Sequence, residues 1–381
     1  MFWTWTKKED QKKYISWGKP RSIPSDSFSE EAPDFEVPIY SGCPIKPEES
    51  VVYMMQGDAT LGMGDSIWLI SFLRDVYRLK GRGRCRLDIC SSTSINKFYS
   101  NFLPSSMNLR EEYITKEEFD TFTYKLPAMY YWKDEDGADR SWVDNQSIIQ
   151  RLYNNVGMEY KGLPDFGDFT NEEILYPNKN YYERLSIDNN DKYVLFQWHS
   201  SGECKNLPPK TNIKLIKHIL KQYGLKVYVF GRLNCLDRLE EIEGVKNLSG
   251  KINAEDVFSL AYHSEFIVSP DSAGIHLGEA FRIPSVGIMS TLPPKYIAHK
   301  YKIPSFMFGA GFCEHKPCGV VAKLPLNKCP KGTKKYCAVL QDIDLELFDM
   351  CVRRSERNRY LYRRTPEVPF YCSQKLPITI H

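Results

Sequence analysis

Nowhere in the 381 residues is there a run of about 18 apolar side chains, the length a helix needs to cross a bilayer, so no membrane span is expected. The N-terminus, Met1 to Asp10, lacks the basic-then-apolar order of a secretory leader. Neither sign of charge dominates. Fifty-one Lys and Arg against 48 Asp and Glu leave +3, which argues against a polycation that coats nucleic acid. The 11 cysteines are odd in number and mostly sit inside apolar segments, so they do not read as a disulfide framework; a reducing, cytoplasmic setting is expected. Two nucleotide motifs are also missing. The glycines at 57, 62 and 64 do not fit the dinucleotide fingerprint, and no Gly-Lys-Ser/Thr marks a P-loop.

What is there suffices for two hydrophobic cores: 42% of residues are apolar and 13% aromatic. At roughly 150 residues per domain the length suggests two domains. Residues 1–47, rich in Lys, Ser, Pro and Glu, read as an extension. From Val51 the texture is strand (Val51 to Gln56), glycine loop (Gly57 to Asp65), amphipathic helix (Ser66 to Lys80) and strand (Arg86 to Ser91), the opening of a doubly wound α/β domain. This first domain is expected over 48–188, ending in a linker near 178–191. From Tyr193 to Met289 strands and helices alternate over short connections, predicting a second parallel sheet in a domain spanning 189–345. Residues 346–381 are expected as a C-terminal helix and tail packing back on the first domain.

Three segments can carry chemistry. In the first, the strand ending near Ser269 runs into Asp271, Ser272, Ala273 and Gly274 and then a helix carrying His276. Such a turn offers backbone N–H groups at the positive end of a helix dipole, a seat for phosphate. The same residues also serve as a helix cap and a close-packing site. The second segment follows the strand ending near Gln197: the hydroxyls of Ser200 and Ser201 and the ammonium of Lys205 can ligand a diphosphate, or form an ordinary polar loop. In the third, Gly62, Met63 and Gly64 lead into Asp65 at the start of a helix, where a carboxylate can act as general base or simply cap the helix.

Together these segments resemble glycosyltransferase family 9, the ADP-heptose:lipopolysaccharide heptosyltransferases. Gly62 to Asp65 look like that family's Gly-Asp segment, Ser200, Ser201, Lys205 and Pro208 like its hydroxyl pair and phosphate-binding lysine, and Asp271 to Leu277 like its Asp-Thr-Gly-x-x-His-Leu loop. Here Ser-Ala replaces the family's Thr-Gly, with glycine one position later, and no equivalent of the ribose-contacting acid is evident near Phe230 to Arg232. The resemblance implies a GT-B fold: two Rossmann-like doubly wound α/β domains facing a cleft, the first holding the acceptor and the second a nucleotide-diphosphate sugar. It implies inverting transfer to an acceptor hydroxyl with Asp65 as base and no cofactor needed for catalysis. Asp271 to Gly274, His276, Ser200, Ser201 and Lys205 would hold the donor, with Gly62 to Gly64 as the acceptor-side loop. The acceptor is left open among a glycolipid, a protein and a hydroxymethylated DNA base. A non-catalytic nucleotide-sugar or nucleic-acid binding module on the same scaffold is the alternative.

Two further clusters stand out. Cys313, Cys318, Cys329 and Cys337 fall within 25 residues, a cysteine-rich insertion that suits a structural Zn or Fe site or structural thiols. Between Cys351 and Arg364, six arginines interleave with Tyr360 and Tyr362. They can grip phosphates and stack on bases, bind an anionic glycolipid, or lie solvated on a helix.

Overall fold

The computed structural model describes residues 43–54, 62–90, 93–110, 116–126, 147–200, 203–231, 237–290, 293–309 and 336–364. They form two compact units, one from the described residues of Met1–Leu61 and Trp68–Tyr160, the other from those of Gly62–Ile67 and Lys161–His381.

The first unit is built on β1 (Ser50–Met54), α1 (Met63–Asp75), β2 (Arg86–Cys90), α2 (Thr93–Tyr99), β3 (Asn108–Arg110), α3 (Lys116–Phe119), β4 (Tyr124–Lys125) and α4 (Ile148–Asn154). Its four strands are parallel, in the order β3-β2-β1-β4. From Trp68 onward, α1 supplies this unit's core with Trp68, Leu69, Ile70, Phe72 and Leu73, all buried. One carboxylate lies in that core. Asp88, fully buried on β2, is held by Arg86 Nη2 at 2.9 Å and Asn108 Nδ2 at 3.1 Å.

The second unit continues with α5 (Glu172–Leu175), α6 (Lys179–Leu185), β5 (Tyr193–Gln197), α7 (Pro209–Tyr223), β6 (Lys226–Phe230), β7 (Val245–Asn247), α8 (Ala254–His263), β8 (Phe266–Pro270), α9 (Ala273–Ala280), β9 (Ser285–Met289), α10 (Pro294–Ile297), β10 (Ser305–Phe308) and α11 (Leu345–Arg364). Six parallel strands run in the order β10-β9-β8-β5-β6-β7. β5, β8 and β9 are buried along their whole length, as expected of parallel strands covered on both faces. The local signals act as their chemistry requires. Asn253 and Asp256 form a reciprocal capping box on α8, at 2.8 and 2.9 Å, and Gly224 ends α7 at φ 63°.

Two boundaries differ from the sequence reading. The units divide at Tyr160 rather than near 188, and the expected linker contains α6, whose N-cap is Asn178. Residues 161–188 belong to the second unit because its polar groups hold them. Arg282 Nη2 donates to Leu163 O at 2.7 Å, Arg184 Nη2 to Asp256 Oδ1 at 2.5 Å, and Tyr181 Oη to Asp256 O at 3.2 Å. The C-terminal helix is docked within the second unit. α11 packs on β9 and β10 of the second unit, burying Phe348, Cys351, Val352 and Ser355. Ser355 pins it there, its Oγ donating to Ile303 O and accepting from Ser285 N, each at 2.7 Å. The Tyr362 ring lies between Arg282 and Lys302, each 4.6 Å from its centroid.

Candidate active site

From β5 the chain moves outward through β6 and β7; from β8 it moves the opposite way through β9 and β10. β5 and β8 are therefore neighbours whose following loops diverge, with Phe196 opposite Val268. Crevices of this kind, at the carboxyl ends of strands where the order reverses, are where doubly wound sheets bind ligands. The loop after β5 carries Ser200 and Lys205, and the loop after β8 carries Asp271 to Gly274. Ser200 and Asp271, 71 positions apart in sequence, thus meet at one point of the fold.

Gln197, the last residue of β5, joins them. Its Oε1 accepts from Gly274 N and Ser269 Oγ, both at 2.9 Å, while its Nε2 donates to Ser272 Oγ at 2.8 Å and His199 O at 3.0 Å. The Gly274 N–H can only donate and the His199 carbonyl can only accept, so the amide orientation is fixed from both sides. The sequence reading passed over this residue, although an amide closing an otherwise apolar strand is the kind of signal that marks a buried polar anchor. Gln197→Leu keeps the bulk but strands the buried Gly274 N–H. It is expected to cost about 1–3 kcal/mol, read by urea unfolding.

These contacts refine the role expected of the Ser272 to Gly274 amides. The Gly274 N–H is already engaged by Gln197. Glycine is required at 274 by packing, since a Cβ there would lie 2.7 Å from Ser269 Cβ and 3.1 Å from Ile267 Cγ2. Ser272 is the N-cap of α9 and is half-buried; its Oγ accepts from Gln197 and keeps its own hydrogen to donate. Ser200 Oγ donates to Asp271 O at 3.2 Å, and its N–H donates to Asn206 Oδ1 at 2.6 Å. Ser201 lies outside the described residues.

Lys205 is not a bare cation. Its Nζ sits 3.1 Å from Asp271 Oδ2, with the two side chains 14% and 4% exposed. At that depth the pair is nearly neutral as a unit, and any anion reaching it would have to share the ammonium with Asp271.

The third segment reaches the same place. Residues 62–67 belong to the second unit, and Gly64 lies against the ring of His276: a Cβ at 64 would be 2.5 Å from His276 Cδ2 and 3.0 Å from Nε2. Gly62 N donates to Asp65 Oδ2 at 3.2 Å, and Ser66 N to Gly62 O at 3.0 Å, so the turn entering α1 is closed on itself with the half-buried Asp65 in its first helical turn. Met63, also half-buried, lies between the two glycines.

His276 is buried on α9, with Nδ1 2.6 Å from Tyr301 Oη. Burial, with the Lys205 ammonium adding to it, pushes its imidazole down to about 3. It is therefore neutral at physiological pH and adds no positive charge for a phosphate. A stability effect follows. Above the ordinary value of 6.5, folded and unfolded imidazoles are both neutral; between 6.5 and about 3 only the unfolded chain takes up the proton, so stability falls as pH falls. From pH 7 to 5 the loss from this residue is about 2 kcal/mol. His276→Gln is expected to flatten the drop in urea midpoint over that range, and an unchanged slope would contradict the assignment.

Of the four clustered cysteines, Cys313, Cys318 and Cys329 lie outside the described residues. Cys337 is buried just before the turn Ala338–Leu340. Among the described residues no group of three or more His, Cys, Asp or Glu side chains is placed to hold a metal ion, and no helix is long and apolar enough to cross a membrane.

Parallel doubly wound units of this kind occur in GT-B glycosyltransferases among other proteins. Residues 167–318 match the family described as glycosyltransferase family 9 (heptosyltransferase). In that stretch the chain is similar to a family 9 domain. Its fold is similar to that of the ADP-heptose lipopolysaccharide heptosyltransferase II of E. coli (12% identity, 82% of this chain and 99% of that one, TM-score 0.52). It is also similar to the dodecameric iron-containing heptosyltransferase TibC of enterotoxigenic E. coli, solved with ADP-D-β-D-heptose (15% identity, 84% and 78%, TM-score 0.55). A family 9 glycosyltransferase of Veillonella parvula shares the fold as well (11% identity, 85% and 99%, TM-score 0.51). No curated protein matches the chain by sequence.

Proposed function

We propose that the protein is a glycosyltransferase that moves a sugar from a nucleotide-diphosphate donor to an acceptor hydroxyl with inversion, Asp65 acting as general base. The observation that carries this reading is the packing of Gly64 on His276, which sets the turn bearing Asp65 against the helix that follows the Asp271 to Gly274 loop. In the reaction Asp65 takes the acceptor proton as the acceptor oxygen bonds to the anomeric carbon. The carbon–oxygen bond to the diphosphate breaks, and the nucleoside diphosphate leaves. Lys205, the hydroxyls of Ser201 and Ser272, that of Ser200 once it turns from Asp271 O, and backbone N–H groups at the start of α9 neutralise the charge that develops on it, the kind of electrostatic stabilisation that carries much of catalysis. One displacement with one base inverts the anomeric centre.

The first donor to test is ADP-heptose, the ligand of the TibC complex. Calorimetry of the full chain against ADP, UDP, GDP and CMP tests the site: binding of one nucleotide, lost in Lys205→Ala, is expected. Absence of binding by folded protein to all four would favour the non-catalytic reading. For the acceptor, the exposed Arg353 and Arg357 beside Tyr360 on α11 favour an anionic one, whether glycolipid or modified DNA. Retention on duplex DNA that falls steeply with salt would select DNA. A structural Zn or Fe at the cysteine cluster belongs to the same proposal; metal analysis of the purified protein, compared with Cys337→Ser, tests it.

A further inference from the structure

Tyr301 and His276 form a buried chain that ends on the turn carrying Asp65; Tyr301 has no part in the transfer described above, and His276 was expected only among the residues that hold the donor. Tyr301 is 6% exposed and so is His276. The two are joined by the 2.6 Å contact between Tyr301 Oη and His276 Nδ1, with their rings at 88°. That bond fixes the rotation of the imidazole. The opposite edge of the ring, Cδ2 and Nε2, faces Gly64, one residue before Asp65, so closely that only a glycine fits. The ring cannot retreat without breaking the bond to Tyr301 inside a packed interior, and the turn cannot advance without moving Asp65. A displacement of about 1 Å at a catalytic group is enough to cost on the order of 100-fold in rate.

We infer that Tyr301 and His276 are positioning residues for Asp65, with the imidazole serving as a rigid wall that sets the height of the Gly62–Asp65 turn. This rests on the proposed role of Asp65 for its catalytic consequence, although the positioning itself can be tested without it. It also gives the glycine at 64 and the histidine at 276 a shared reason: each is the size the other requires.

The test is a mutant cycle on the full-length chain, read by crystal structures and by ADP release from ADP-heptose. Gly64→Ala should displace the turn, lowering kcat on the order of 100-fold with little change in KM for the donor. His276→Ala should leave the turn loosely placed. Combined, the two should be better than Gly64→Ala alone, by about 10-fold, because the added methyl occupies space the ring has vacated; this non-additivity is what direct contact predicts and independent structural damage does not. Tyr301→Phe, the conservative variant, removes only the hydroxyl. It should lower kcat by about 10-fold while leaving the Kd for ADP unchanged. If the crystal structures show Gly62 to Asp65 superposing on the wild type in both Gly64→Ala and Tyr301→Phe, the inference is overturned, whatever the turnover. If the turn moves but Asp65→Ala retains full turnover, positioning stands and it is the base assignment that fails.

Discussion

Asp65→Asn is expected to lower sugar transfer by about 1,000-fold, within the range that a positioned general base contributes, while the Kd for the nucleoside diphosphate changes by less than about twofold. The side chain keeps its size, and its amide oxygen can still accept from the Gly62 N–H, the bond that closes the turn at 3.2 Å. What disappears is the capacity to take a proton from the acceptor. A single-turnover assay separates the two quantities. Turnover equal to the wild type would remove Asp65 from the chemistry. A parallel loss of donor affinity would make it a donor ligand instead.

The second large effect is expected at Lys205. Losing a charge-assisted contact to the diphosphate costs roughly 1.5–3 kcal/mol, or about 10- to 150-fold in Kd. Lys205→Ala also strands the carboxylate of Asp271, which is 4% exposed, and breaking a buried pair by removing one partner costs about 3–5 kcal/mol of stability. The two consequences come apart in the double variant. Lys205→Ala with Asp271→Asn should recover most of the stability, because the buried charge is gone, yet bind nucleotide no better than the single variant. Calorimetry at a temperature where all the variants are folded, together with urea midpoints, reads both. Full recovery of affinity in the double variant would mean that Lys205 serves only to neutralise Asp271.

Much of the second unit was legible because its strands are continuous apolar runs. Tyr193 to Gln197 and Phe266 to Pro270 are five-residue, mostly apolar runs between turn signals, as strands covered on both faces require. The capping residue Asn253 and the terminating Gly224 act through local hydrogen bonding and backbone conformation, which a sequence states directly. What could not be read was set by tertiary contact. The stretch near 178–191 reads as a linker, but Tyr181 and Arg184 within it are held by Asp256, just as the carbonyl of Leu163 upstream is held by Arg282. The arginines of α11 drew attention to its charged face, whereas its docking is decided by Phe348, Val352 and Ser355 on the other.

At the site, the sequence indicated Ser200, Lys205 and the Asp271 to Gly274 loop, and the strand order brings them to one point. It could not show that the Gly274 N–H is already engaged, that Lys205 is paired with Asp271, or that His276 is held neutral. Those facts arise from burial, from the charge of the Lys205 ammonium and from Gln197, a residue with no motif around it.

The most direct test of the account is a crystal structure of the full chain with ADP-heptose bound. The account predicts the diphosphate at the divergence of the loops after β5 and β8, within hydrogen-bonding distance of Lys205 Nζ and Ser272 Oγ, with Asp65 facing the anomeric carbon. A diphosphate bound elsewhere, or a sugar whose anomeric carbon is turned away from Asp65, would contradict it.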